Sequence, residues 1–329
     1  MNFRTLRNLF GFLLLAFILQ SCSNPKPGVW KNDQIDAGKR SDFHSLTEQA
    51  FVELKANNPK HMSAYISKDM IDNTIGTIRT VEHISNSLKM SDYKLLAEYY
   101  IVNKWKDKDT VKNVAGINSY DLYYPGTTRE MYMAFFVPKT GDDQSLISLV
   151  YNKFDYGWKI SIMDVSPYAY NNKTAPELFN LAKEKYRKHY LADAVNDAPL
   201  ANSCLKPVDF WQYPIDDSLR TFYAMVANEA NDKFLFPSAI RQVPTEPRIF
   251  SIFNKTIPQG TYPMIYYLTT INLKNTAAVK KENDQIRKVI GKVIPGIDQD
   301  KKYVLYSAFN KMPTSREEPD SYEVTDKLK

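Results

Sequence analysis

Apolar residues recur at helical spacing in the first third of the chain. Their three- and four-residue intervals predict a helix with one buried face. Ser45 and Glu48 have capping-box spacing near its start. Asn58-Pro59 predicts a break, because proline favours the first turn of a new helix, and Asn73 precedes a third helical stripe. The first stripe consists of Phe43, Leu46, Ala50 and Leu54.

The pattern changes to strand-like alternation after Ser91. Five segments are rich in β-branched and aromatic residues, as strands are: 93–105, 118–125, 128–138, 145–153 and 157–165. Gly126-Thr127 predicts a hairpin between the second and third segments, and residues 154–157 predict a turn between the last two. Helices followed by antiparallel strands predict an α+β fold.

The second half of the chain predicts a helical connector and a smaller domain. Thr174 and Glu177, with a proline between them, have the signature of a helix N-terminus, and we predict a connector over residues 174–207. Residues 208–310 combine helical stripes with alternating segments and predict a second, smaller α+β domain, which includes a helix over 276–293. Residues 311–329 are polar and predict a disordered tail.

The N-terminus has the parts of an export signal. Arg4 and Arg7 precede an unbroken apolar run over residues 9–19, which is shorter than the roughly 20 residues that span a bilayer. The following Leu19-Gln20-Ser21-Cys22 resembles the lipobox of bacterial lipoproteins. The resemblance implies that residues 1–21 are a signal peptide and that Cys22 receives lipid.

The lipoprotein resemblance also implies an address. Two or three acyl chains hold a protein firmly to a membrane, so the membrane, through lipid on Cys22, is the first predicted partner. No Asp follows Cys22 at the second position, which is similar to lipoproteins sent to the outer membrane. We therefore expect the cell envelope, at the periplasmic face of the outer membrane. Residues 22–41 are polar and predict a tether.

Residues 42–166 resemble the nuclear-transport-factor-2-like superfamily, which includes the SnoaL-like proteins. The helices around Asn58-Pro59, the strand meander and the closing strand 157–162 support the resemblance. It implies helices packed on a strongly curved sheet, a cone with a tapered interior. Such an interior either binds an apolar small molecule or is filled by a packed aromatic core. Period-two alternation predicts the inward set, Tyr99, Met133, Phe135, Tyr151 and Trp158.

The charge distribution limits the classes of binding partner, and the cysteine content limits the possible disulfides. The chain has 43 Lys+Arg against 37 Asp+Glu, well mixed along its length. It lacks the clustered basic face of nucleic-acid-binding proteins, so no nucleic acid partner is expected. Only two cysteines occur. If Cys22 carries lipid, Cys204 has no disulfide partner, and packing alone must stabilise the exported chain.

Catalytic motifs are weakly represented. Residues 91–94 match S-x-x-K and residues 139–141 match K-T-G, as in serine penicillin-binding proteins, but the third motif between them is missing and 139–141 predict a hairpin loop. Cys204 and His189 suggest a thiol–imidazole pair, although Cys204 lies on an apolar helical face. The four histidines lack metal-ligand spacing, and phosphate loops are absent. We therefore predict no catalytic residue, metal or cofactor.

Two functions remain open on the sequence. The first is a non-enzymatic binding or interaction module for a protein partner or an apolar small molecule. The second is a SnoaL-like enzyme, an isomerase or hydrolase that uses the cone pocket. A titratable residue with a shifted pKa inside an open cone would favour the enzyme, but no Asp–His pair is expected to point inward.

Overall fold

A computed structural model of the protein describes residues 25–314 and 319–328. The predicted signal peptide and Cys22 lie outside the described residues. The described chain is α+β, with eight α-helices and fourteen strands in three sheets. The helices are α1 Ala37–Lys55, α2 Pro59–Met62, α3 Lys68–Asp72, α4 Thr74–Met90, α5 Ala175–Arg187, α6 Leu191–Ser203, α7 Asp216–Lys233 and α8 Thr276–Val293. The strands are β1 Gly28–Lys31, β2 Tyr93–Val102, β3 Lys108–Asn113, β4 Tyr120–Pro125, β5 Glu130–Pro138, β6 Gln144–Phe154, β7 Gly157–Tyr170, β8 Lys173–Thr174, β9 Trp211–Gln212, β10 Ser238–Ala239, β11 Arg248–Ile257, β12 Gly260–Leu268, β13 Tyr303–Phe309 and β14 Ser321–Lys327.

Side-chain caps fix two of the first helix starts. Asp36 accepts a hydrogen bond from the backbone N–H of Lys39 at 3.0 Å, so α1 begins before the Ser45 position that the sequence favours. Asn58 caps α2 by accepting from the N–H of His61, as the Asn58-Pro59 pair predicts. A side-chain oxygen at this position satisfies one of the orphan N–H groups of the first turn.

The largest sheet is strongly curled, and both of its faces are buried. It has six antiparallel strands in the order β1-β2-β5-β6-β7-β8. Helices α1, α2 and α4 cover one face, while the small sheet β3-β4-β9 and helices α5 and α6 cover the other. Strand β5 is consequently buried along almost its whole length, which explains why its sequence is apolar at consecutive positions.

The predicted hairpin at Gly126-Thr127 is wrong. Strand β4 pairs with β3 and β9, whereas β5 pairs with β2 and β6. The N–H of Gly126 instead donates to the carbonyl of Asp107 at 2.8 Å, and a Cβ at this position would lie 2.6 Å from the same oxygen. The glycine therefore continues the β3–β4 pairing by one step at a point where a Cβ would meet the backbone of Asp107. The hydrophobic pattern does not predict β3, because its residues are mostly polar.

Two segments that the sequence predicts to be unstructured belong to sheets. Within the predicted tether, Gly28–Lys31 pairs with β2, and α1 starts at Ala37. Within the predicted disordered tail, Ser321–Lys327 pairs with β13, and its Tyr322 and Val324 pack against the C-terminal core. An edge strand with one face in solvent needs few apolar residues, so its polar composition resembles that of a loop.

The C-terminal sheet has the order β10-β11-β12-β13-β14. Strands β12 and β13 run parallel, and α8 lies between them in the chain, as a parallel pair requires a long crossover. The observed bounds of α8 equal the predicted 276–293. Its buried face includes Val279, Ile286 and Ile290. Earlier in the chain, the capping box of Thr174 and Glu177 is present at the start of α5, as predicted.

A polar cleft beside helix α6

The five predicted pocket residues lie on opposite faces of the six-stranded sheet. Tyr99, Met133 and Phe135 belong to the core beneath the small sheet and helices α5 and α6. Tyr151 and Trp158 pack in the other core, under α1. The register explains the division, because Tyr151 lies opposite Tyr132, whereas Met133 lies opposite Val150. The five residues therefore do not line one pocket.

Both faces at these positions are filled by side chains. Tyr99, Met133, Phe135 and Tyr151 are at most 1% exposed. Trp158 lies edge-on to Phe43, with ring centroids 4.8 Å apart. Of the two interpretations left open by the sequence, the packed aromatic core is the one that describes these residues.

A polar cleft of about 220 Å³ lies elsewhere, beside α6. A single water needs only about 10–15 Å³ by this measure, so the cleft has room for a small molecule. Its walls come from three parts of the chain. They are the β5–β6 loop with the β7–β8 turn, helices α5 and α6, and the C-terminal sheet with the segment just before β13. The lining includes Asp142, Asn171, Lys173, Leu178, Lys185, Asp193, Asn196, Asp197, Leu200, Asn254, Tyr262, Asp300, Lys301 and Lys302.

Helix α6 presents its polar groups to the cleft from one face. Asp193, Asn196 and Asp197 follow at i, i+3 and i+4, the spacing that places side chains together on a helix. Leu200, four residues after Asn196, adds an apolar contact to the same wall. The rest of α6 is rich in buried alanines that pack against neighbouring elements.

Ion pairs join helices α5 and α6 to residues 300 and 301, which lie just before β13. Lys301 Nζ donates to Asp193 Oδ2 at 2.8 Å and to the carbonyls of Gly296 and Ile297. Lys185 Nζ donates to Asp300 Oδ2 at 3.0 Å. Asp193 and Lys185 are each 2% exposed, and an unpaired charge so buried is costly; the partner of Lys185, Asp300, is 55% exposed.

Two buried polar atoms in the cleft have no hydrogen-bond partner in the described part of the chain. They are Asp193 Oδ1, an acceptor, and Asn196 Nδ2, a donor. Both residues are more than nine-tenths buried and line the cleft. Buried polar groups in native proteins are rarely left unpaired, and each costs about 1–3 kcal/mol when it is. These two residues therefore leave one acceptor and one donor unsatisfied beside the wall of the cleft.

Burial also raises the pKa values of the two acids of α6 that line the cleft. It raises the pKa of Asp197 to about 7, and the neighbouring Asp193 adds to the rise. The pKa of Asp193 is raised too, because its burial outweighs the ammonium groups of Lys301 and Lys185. Asp197 is thus poised to exchange a proton near neutral pH.

The shift at Asp197 predicts how stability depends on pH. Between about pH 4, the pKa of an unfolded Asp, and the folded value of about 7, the folded chain retains a proton that the unfolded chain has lost. Stability should therefore fall as pH rises through this window. We expect Asp197→Asn to flatten this decline and to be more stable than wild type at pH 8, as measured by urea unfolding from pH 4 to 8.

Asp232→Asn, at an exposed position of α7, is the matched control and should keep the wild-type slope. An unchanged slope in Asp197→Asn would contradict the assignment.

A second buried acid lies between α1 and the sheet. Glu98 is fully buried and accepts hydrogen bonds from His44 Nε2 at 2.9 Å, from the Tyr132 hydroxyl at 2.6 Å, and from Arg40 Nε. Glu98 and His44 form an acid–histidine pair that the sequence motifs do not predict, and the His44 side chain is 41% exposed. Their sequence separation of 54 residues hid the pair from motif analysis.

The other catalytic candidates keep their ordinary structural roles. Cys204 is completely buried, and burial raises the pKa of its thiol to about 12, which makes the reactive thiolate scarce. Residues 139–141 lie in the loop between β5 and β6, as predicted for a hairpin.

No family model, curated protein or solved structure matches this chain. Within residues 25–314 and 319–328, no helix has both the length and the apolar character to cross a membrane.

Proposed function

We propose that the protein is a lipid-anchored lipoprotein of the bacterial cell envelope that binds a small polar ligand, without catalysis, in the cleft beside α6. The anchor rests on the export signal and on the lipobox-like residues that end at Cys22. The binding role rests on the cleft. We place the protein at the periplasmic face of the outer membrane.

One observation supports ligand binding above the others: Asp193 Oδ1 and Asn196 Nδ2 are buried and unpartnered. A hydroxyl group both donates and accepts, so adjacent hydroxyls of one molecule would satisfy both atoms. The lining has four carboxylates and four lysines, a balance that favours a ligand without net charge. Leu178, Leu200 and Tyr262 supply an apolar wall for the carbon skeleton. We therefore propose a neutral polyhydroxylated ligand, such as a saccharide unit.

The test is a binding screen on the purified protein, by calorimetry, with neutral saccharides, zwitterionic amino acids and dicarboxylates. We expect a saccharide to bind, and Asn196→Leu to weaken binding about tenfold, the effect of losing roughly 1.4 kcal/mol of hydrogen bonding. Asn202→Leu, at an exposed position of the same helix, should bind as wild type does.

Binding of amino acids alone would replace the proposed ligand class. Equal affinities of wild type and Asn196→Leu would remove the cleft from the proposal.

Residues 42–166 are proposed to be a nuclear-transport-factor-2-like cone. The helices around Asn58-Pro59 and the curled antiparallel sheet support this proposal. The same fold would allow the alternative function, a SnoaL-like isomerase or hydrolase, and the Glu98–His44 pair favours it. We rank it second because Arg40 and Tyr132 already occupy the carboxylate of Glu98.

A further inference from the structure

The chain enters the fold close to its predicted lipid anchor. Gly28 pairs with Val102 at the end of β2, and the carbonyl of Pro25 accepts from Arg129 Nη2 at 3.2 Å. Only three residue steps separate Cys22 from Pro25, so the anchored cysteine lies within about 11 Å of Pro25 even if the chain is fully extended. This is a much shorter link than the predicted tether of residues 22–41.

An exposed tryptophan lies at the same end of the sheet. Arg129 Nη1 donates to the carbonyls of Asn103 and Lys104, the latter at 3.4 Å, so one guanidinium joins Pro25 to the segment after β2. Trp105, the next residue, is 72% exposed. An indole ring with this exposure is unusual on a surface that faces only water.

The surroundings of Trp105 are cationic. The segment 104–108, here called the Trp105 loop, contains Lys104, Lys106 and Lys108, and Arg129 contacts its first residue; Asp107 and Asp109 are the acids of this stretch. All of these residues are exposed. Tryptophan is enriched at the headgroup level of membranes, and surface lysines are attracted to anionic lipids.

We propose that the Trp105 loop contacts the membrane into which the lipid on Cys22 inserts. The Trp105 ring enters the interfacial zone, and the lysines and Arg129 face anionic headgroups. This inference rests on the proposed lipid anchor. The Trp105 loop is then a second membrane contact, besides the acyl chains on Cys22. Two contacts fix the orientation of the folded chain on the membrane.

The orientation of the folded chain determines where the cleft lies relative to the membrane. Strand β5 starts at Glu130, beside the Trp105 loop, and ends at Pro138, near Asp142 of the cleft. Nine residues of strand span about 30 Å. With the loop on the membrane, the Asp142 wall of the cleft lies at the end of β5 that is farther from the lipid.

The experiment uses lipidated full-length protein in vesicles of phosphatidylcholine and phosphatidylglycerol, with or without brominated acyl chains, which quench nearby tryptophans. We expect brominated lipid to reduce the emission of wild type and to leave Trp105→Phe unchanged. Ile117→Trp in the Trp105→Phe background is the matched control. Ile117 is 49% exposed at the far end of the β3–β4 pair, and its replacement should not be quenched.

Flotation of wild type and Cys22→Ala separates the two proposals. If wild type floats with the vesicles, Cys22→Ala does not, and Trp105 is quenched, both proposals are supported. If flotation depends on Cys22 but Trp105 is not quenched, the anchor stands and the Trp105 loop faces water or a protein partner, which overturns the inference. If Cys22→Ala floats as wild type does, or neither floats, the proposed anchor and the inference both fail.

Discussion

Replacing Trp211 by alanine is expected to lower the free energy of unfolding by about 4 kcal/mol, the usual range for a buried Trp being about 3–5 kcal/mol. Trp211 is 1% exposed. Its ring stacks on Tyr120 with centroids 3.5 Å apart and meets Phe135 edge-on at 5.4 Å. Tyr120 belongs to the small sheet and Phe135 to the large one, so alanine would leave a cavity between two sheets.

Chemical denaturation of wild type and Trp211→Ala measures this loss. Trp105→Ala is the matched control, since Trp105 is 72% exposed and its truncation should change stability by less than about 0.5 kcal/mol. A loss below about 1 kcal/mol in Trp211→Ala would mean that the two sheets close over the cavity or do not depend on this contact.

The second large effect concerns the buried charge of Glu98. Arg40→Met is expected to lower the free energy of unfolding clearly, because Glu98 loses the guanidinium that pairs with it, while His44 and Tyr132 still donate to the carboxylate. The side chain of Glu98 is fully buried, and that of Arg40 is 30% exposed. The variant therefore leaves a carboxylate in the protein interior without its strongest cation.

Urea unfolding at neutral pH measures the effect of Arg40→Met. Arg79→Met, at an exposed position of α4, should stay within about 0.5 kcal/mol of wild type. Adding Glu98→Leu to Arg40→Met should restore part of the stability, since no unpaired charge then remains buried. If the double variant is less stable than Arg40→Met alone, burial of the charge is not the cause of the loss.

Local signals predicted the elements whose structure depends on neighbouring residues in the chain. The capping box at Thr174 and the helix over 276–293 are such cases. The face of the sheet on which a strand residue lies depends instead on how that strand pairs with its neighbours. Met133 and Phe135, two residues apart in β5, do lie on one face, but the register of β6 against β5 places Tyr151 opposite Tyr132, and a shift of one residue reverses every side chain. Register between strands is not a property of a single segment.

The cleft could not be predicted from local sequence signals either. Three polar residues on one face of an alanine-rich helix, Asp193, Asn196 and Asp197, are visible in the sequence. Their meaning depends on Lys301, which is 108 residues from Asp193. No spacing rule relates residues that only the tertiary fold brings together. Likewise, Glu98 and His44 meet because α1 packs across β2, which motif analysis does not address.

The edges of the sheets bear on crowding at a membrane surface. Anchored proteins diffuse in two dimensions and collide often, and an exposed strand edge invites a neighbour to add to the sheet. Here the edge strands β8, β9 and β10 have two residues each, too few for a stable intermolecular ladder. The longer edges β3 and β14 include lysines and acids, which oppose such pairing, and the remaining edge, β1, has four residues and ends at Lys31. The described sheets therefore offer little edge to a neighbouring copy, as the proposed anchoring in a crowded membrane would require.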